Sequence, residues 1–330
     1  MKRYGWLPVT LMALIIAGIA ITVYWGEREA FMDREMWFGI VEDSYTSPTG
    51  LIRTYGRAPE EQYLSETVGL YLKQALHAED ETRFMKQVDV LKDEWLVWQE
   101  DDVFIPWKLK NGEKATVNAL IDDLRIISVL REGAAFFQDA ALEELAEDLF
   151  ATIERLQLTE EGWLADFYDW TYGLSSERLI LSYGQATQTQ AYTTILREAA
   201  DRMDPFIPLI YDRTEGTFLP QEEVHMVDQF LILIEMERQG LDTASFHEWL
   251  NQEWTNEGVI SGRFRSADSS GNGIESVSVY VLMMTYAELR GDRDLADVAD
   301  KRRTALSASF DNFEDVHFFD LYGFIEPFEY

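Results

Sequence analysis

The chain of 330 residues carries 60 acidic against 28 basic side chains, a formal net charge of −32. It therefore lacks the clustered Lys and Arg with which nucleic-acid-binding proteins neutralise phosphate. Apolar residues make up 47% of it, with 10 Trp, 15 Tyr and 19 Phe, and cysteine is absent; this excludes a disordered acidic chain, a disulfide framework, a thiolate metal site and a cysteine nucleophile.

Lys2 and Arg3 precede an uncharged run from Leu7 to Trp25, with Trp6, Tyr24 and Trp25 where interfacial aromatics belong. That run is long enough to cross a bilayer as a helix, and no small-x-small cleavage pattern is clear near its end. The reading is an uncleaved signal anchor over 1–26 and an extracytoplasmic domain over 27–330, oriented outward by the positive-inside rule. A cleaved secretory peptide is the alternative. Without Lys2 and Arg3 the exported part holds 26 basic against 60 acidic residues, a net −34, which fits either a salty or alkaline habitat or a neutral or cationic partner.

No Pro-rich or Gly/Ser-rich linker divides the exported part, so one domain is expected. Leu142, Leu145, Leu149, Ile153 and Leu156 form an apolar stripe opposite Glu143, Glu144, Glu147 and Asp148, the pattern of a surface helix. Val227–Met236 and Val277–Tyr286 are apolar nearly all round, as helices buried on both sides must be. Turn glycines in polar settings recur at Gly50, Gly112, Gly162, Gly216 and Gly258, with Gly323 as a candidate sixth. Each interval holds two helices and their loops. Five or six such hairpins, each with a buried inner and an amphipathic outer helix, close into an all-α (α/α)6 toroid. An open solenoid is the competing architecture, but its regular period of about 34 residues is missing.

In such a double ring the inner-helix N-termini floor a concavity, and carboxylates recur there. Glu66 precedes Val68–Leu72, Asp122 and Asp123 precede Leu124, Asp228 opens Val227–Met236, and Glu275 precedes Val277. Helix capping and dipole compensation are the plain reading of each. Asp123 and Asp228 stand among apolar neighbours, where an unpaired carboxylate is costly to bury. Carboxylates with unequal desolvation acquire separated pKa values, as one acid and one base in glycoside hydrolysis require. Trp37, Tyr55, Trp107, Trp163, Phe167, Tyr168, Trp170, Tyr172, Phe218 and Phe264 supply rings near the loops, of which about three are expected to meet a sugar face.

The stretch Tyr63-Leu64-Ser65-Glu66-Thr67-Val68-Gly69-Leu70 resembles the Ser-Glu-x-x-Gly signature of family 8 glycoside hydrolases, and the resemblance implies Glu66 as general acid. Ala115-Thr116 to Ile126 is similar to that family's Ala-Thr…Asp-x-Asp-Leu-Asp segment, implying Asp123 as the residue that holds and distorts the sugar. Glu223–Gln229, Gly262-Arg263-Phe264 and Glu275–Tyr280 resemble the exopolysaccharide-hydrolase branch, implying Asp228 as general base. An inverting mechanism without a cofactor follows from the resemblance, with Trp107, Asp122, Tyr183, Arg263 and Glu275 as substrate-binding candidates. A salt bridge is the other reading for Arg263, and burial for Tyr183.

The four histidines, at 77, 225, 247 and 317, show no metal-ligand spacing, and no Gly-rich nucleotide loop occurs. The expectation is thus a membrane-anchored, monomeric endo-acting hydrolase of a bacterial exopolysaccharide, with no metal. A catalytically silent toroid that binds polysaccharide or a secretion partner is the alternative. A lyase would need basic neutralisation of a uronate, against which the net charge argues.

Overall fold

The computed structural model describes residues 32–57, 61–160, 162–186 and 190–325. Among these no helix is long and apolar enough to cross a membrane; the run from Leu7 to Trp25 and the boundary after residue 26 lie outside them.

Eleven helices are used below. In chain order they are α1 (Arg34–Ile40), α2 (Ser65–His77), α3 (Glu81–Val90), α4 (Leu120–Phe137), α5 (Ala140–Gln157), α6 (Gln190–Asp201), α7 (Met226–Arg238), α8 (Ala244–Glu257), α9 (Val277–Arg290), α10 (Arg293–Ser307) and α11 (Phe318–Tyr322). Packing runs in a closed circuit: α2 against α4, α4 against a 3-10 turn at Leu181–Ala186, that turn against α7, then α7 against α9, α9 against α11, and α11 back against α2. Outside this ring α3 backs α2, α5 backs α4, α6 backs the 3-10 turn and α10 backs α9. Phe246 of α8 packs on Phe230 of α7 and Tyr286 of α9, and Trp37 of α1 on Tyr71 of α2 and Phe318 of α11. The circuit is that of an (α/α)6 toroid in which the third inner position is a 3-10 turn.

The two helix classes follow from composition. On α5 Leu142, Leu145, Leu149 and Ile153 are buried and the acidic face is not, whereas α9 is buried from Val277 to Met284 on every side. Their N-termini differ as well. Asp33, Asp80, Asp139 and Asp292 cap the outer helices α1, α3, α5 and α10 through their own side chains. The inner helices α2, α4, α7 and α9 begin after Leu64, Ala119, His225 and Ser276, none of which makes a side-chain capping bond. The positive ends of these four helices are thus left for other partners, whereas the short inner helix α11 is capped by His317.

All five turn glycines adopt positive φ, from 63° at Gly216 to 91° at Gly50, a conformation in which a Cβ is strained. Thr46 pairs with Ile52 around Gly50, Leu158 with Leu164 around Gly162, and Asp212 with Thr217 around Gly216. Gly323, by contrast, has φ −63° and ends α11 in the right-handed region. The loops also carry antiparallel strands of two or three residues, such as Gln62–Leu64 on Lys108–Lys110 and Glu223–His225 on Arg263–Arg265, too short to leave an alternating pattern in the sequence.

Residues far apart in the chain seal the ring. Trp37 Nε1 donates to the Leu321 carbonyl at 3.0 Å and the Tyr45 hydroxyl to that of Val316 at 2.7 Å.

Candidate active site

A cavity of about 700 Å3 opens at the end of the toroid where the inner helices begin, within the size range of ligand sites. Glu66, Asp122 and Asp228 stand in the first turns of α2, α4 and α7, Glu275 just before α9 and Asp320 in α11, and all five reach its wall. Glu66, Asp122, Asp228 and Asp320 are first-turn residues rather than N-caps of their own helices, and Glu275 lies one residue before the N-cap Ser276.

Burial, together with the neighbouring charge of Asp122, raises the Glu66 pKa to about 8 against the opposing pull of Arg125, and Asp320 adds to the rise, which favours the protonated acid. Asp122 is fixed by two bonds: Ser65 Oγ donates to Oδ2 at 2.8 Å and Arg125 Nη1 to Oδ1 at 2.9 Å. Burial still raises the Asp122 pKa despite those two partners. A neighbouring carboxyl group in a poorly solvated pocket favours the protonated form.

Asp228 is held from both sides. Ser182 Oγ, on the 3-10 turn, donates to Oδ1 at 2.8 Å, and His225 Nδ1 lies 3.2 Å from Oδ2. Tyr183, next to Ser182, lines the cavity as well. Its hydroxyl is pushed upward first by burial and then by Asp122, Asp228, Asp166 and Glu66.

The remaining expected contacts are on the wall too, with partners. Arg263 Nη1 donates to Glu223 at 2.6 Å. Glu275 is gripped by Arg302, whose Nε donates at 2.7 Å and whose Nη2 bonds the other oxygen; burial opposes ionisation of Glu275, but the bonds from Arg302 and Tyr280 outweigh it and hold the carboxyl below its ordinary value. Trp107 is 36% exposed, with Lys108 Nζ 4.4 Å over its ring. Of the ten aromatics, Tyr55 and Trp107 reach the cavity; Trp37, Trp163 and Phe264 are core, and Phe167 and Tyr172 are exposed elsewhere.

Asp123, expected at the cleavage point, does not line the cavity: it is 3% exposed, its Oδ2 accepts from Asn118 Nδ2 at 2.6 Å, and its Oδ1 is buried without a hydrogen-bond partner. Successive helical residues point about 100° apart, so when Asp122 faces the cavity Asp123 turns into the packing between α4 and α5. There it belongs to a polar chain in which Asn118 Nδ2 also reaches Gln157 Oε1, at 2.7 Å, and Gln157 Nε2 the Ala165 carbonyl, at 2.8 Å. Burial raises the Asp123 pKa well above the carboxylate range.

Three cavity residues escaped the sequence reading. Asp320 Oδ1 accepts from Ser276 Oγ at 2.6 Å and from Ser278 N at 2.9 Å, so α9 is capped by a carboxylate from α11. His317 Nδ1 accepts from Phe319 N at 3.2 Å, and burial depresses its pKa. Arg125 supports Asp122. The usable signal for Asp320 was an acid in the first turn of an apolar stretch, Phe318-Phe319-Asp320-Leu321. Among the described residues no cluster of three His, Asp or Glu side chains could hold a metal ion.

No protein-family model matches the chain. It is 26% identical over 252 residues to the Bacillus subtilis protein named "Putative lipoprotein YdaJ", covering 72% of this chain and 67% of that one. PssZ from Listeria monocytogenes superposes with a TM-score of 0.76 at 26% identity, covering 87% of this chain and 92% of the other. Endoglucanase Cel10 of Klebsiella pneumoniae, described as a family 8 glycosyl hydrolase, superposes with a TM-score of 0.58 at 14% identity, covering 82% and 98%. The fold is that of the family 8 glycoside hydrolases.

Proposed function

We infer that the protein is an extracytoplasmic endo-acting glycoside hydrolase that cleaves a bacterial exopolysaccharide with inversion. The observation that carries this reading is that Glu66, whose pKa burial raises to about 8, and Asp228, on a different inner helix, line the same cavity. Glu66 protonates the departing glycosidic oxygen while Asp228 takes a proton from water attacking the opposite face of the sugar. Asp122, anchored by Ser65 and Arg125, holds the sugar at the cleavage point in place of Asp123, and Tyr183 and Trp107 supply contacts. Membrane attachment through the apolar N-terminal run is part of this proposal, and the lipoprotein name of the Bacillus relative agrees with a place at the cell surface.

The test incubates the protein with the host's own extracellular polymer and follows reducing ends and anomers by NMR. Inverted product from the wild type and none from Glu66→Gln, with polymer binding retained, supports the hydrolase. Binding without cleavage by the wild type supports a silent toroid instead.

A further inference from the structure

We propose that His225 is a positioning residue for Asp228, fixing the plane in which this carboxylate faces the cavity. The inference rests on the reading of Asp228 as the general base.

An aspartate in the first turn of a helix has several χ1 rotamers and a broad χ2 open to it. At Asp228 two bonds from two different elements remove that freedom, Ser182 Oγ on Oδ1 at 2.8 Å and His225 Nδ1 on Oδ2 at 3.2 Å. A carboxylate only accepts, so Nδ1 of the imidazole carries the proton. His225 has the right geometry by construction: it immediately precedes α7 and lies three residues before Asp228, on the same helical face. Its backbone is fixed opposite Arg263 in the strand pair 223–225 and 263–265. Arg263 directs its Nη1 to Glu223 on that same pair, which leaves the imidazole as the donor to Oδ2. Each oxygen of Asp228 keeps a lone pair for a water in the cavity. Without His225 the carboxylate pivots about its bond to Ser182, and a misplacement of about 1 Å at a reacting group costs on the order of 100-fold in rate.

Three variants separate this role from a merely structural one. Asn carries a donor on Cγ, as the Nδ1 side of His does, while Gln places its amide one bond further out. Reducing-end release is measured on carboxymethylcellulose, xylan, mixed-linkage glucan and the host's extracellular polymer, with thermal melts confirming that each variant folds. The expected result is a kcat lowered about 10- to 100-fold in His225→Ala and His225→Gln at a KM within about twofold, and a His225→Asn variant within about threefold of wild type. A wild-type kcat in a folded His225→Ala, or a loss confined to KM, overturns the inference. Should His225→Ala fail to fold, an Asn variant no more active than Gln overturns it. Asp228→Asn is assayed alongside: activity surviving there, or no polymer cleaved at all, ends the parent reading, whereas an inactive Asp228→Asn beside a fully active His225→Ala ends this one alone.

Discussion

Asp122 and Asp123 are adjacent in the chain and opposite in environment: the first is tied to Ser65 and Arg125 on the cavity wall, the second to Asn118 in the packing behind it. Their amide variants should therefore diverge. Asp122→Asn is expected to lower kcat/KM by about 100-fold or more, because it weakens the bond to Arg125 and the anchoring of the sugar together. Asp123→Asn should stay within about threefold of wild type. Initial rates on any cleaved polymer decide the matter, and a reversed order would restore Asp123 to the site.

As the proposed general acid Glu66 would act only while protonated, so kcat/KM should fall on the alkaline side with a midpoint near its pKa of about 8. Asp320 contributes to that high value by its charge. Asp320→Asn should move the alkaline limb to lower pH by a fraction of a unit, and a pH–rate profile that stays in place would show that the two groups do not interact.

The same proton links stability to pH. The folded state holds Glu66 protonated up to about 8, whereas an unfolded chain releases the proton near the ordinary value of 4.5. The folded state thus binds more protons between these values. The contribution is complete below pH 4.5 and is lost as pH rises through 8. Asp123, also raised by burial, acts in the same direction. Melting temperatures at pH 5 and pH 8.5 should show a fall in the wild type that is smaller, by a few degrees, in Glu66→Gln.

Trp107 is strapped by its backbone, donating to Val117 O and accepting from Ser65 N, each at 3.0 Å, while its indole stays partly exposed. Trp107→Ala should remove a sugar platform and little else: KM up about 10-fold with kcat within about threefold. A fall in kcat alone would place the ring nearer the chemistry than the cavity mouth.

Gly184 lies where the 3-10 turn meets Tyr192, and a Cβ there would run into the ring. Tyr192 cannot yield readily, since it is fully buried and its hydroxyl is bonded to Leu181 O at 2.9 Å. Gly184→Ala should cost about 3 kcal/mol or more in chemical denaturation. A neutral result would mean that the turn shifts freely.

The inner and outer helices were legible because burial on every side and burial on one stripe leave different patterns, and Gly50, Gly112, Gly162, Gly216 and Gly258 marked turns that do need left-handed backbone. Glu66 and Asp228 were legible as acids opening apolar runs. The phase of α4 was not: apolar residues flank both Asp122 and Asp123, and a helix rotated by one residue satisfies the same pattern. Asp320 was missed because α11 has five residues, too few to show a period. Nor does any apolar run announce Leu181–Ala186 as an inner element, since Ser182, Gly184 and Gln185 interrupt it.

Because α11 both completes the inner circuit and carries Asp320, the groove has no finished wall until the segment around residue 320 has arrived. A nascent chain that has emerged only through α9 already possesses Glu66 and Asp228, yet the clasp formed by Trp37 with Leu321, 284 positions away, cannot yet fasten. Closure over such a span is slow to nucleate. Competence to bind a ligand in the cavity should accordingly appear in one late step of folding rather than growing helix by helix.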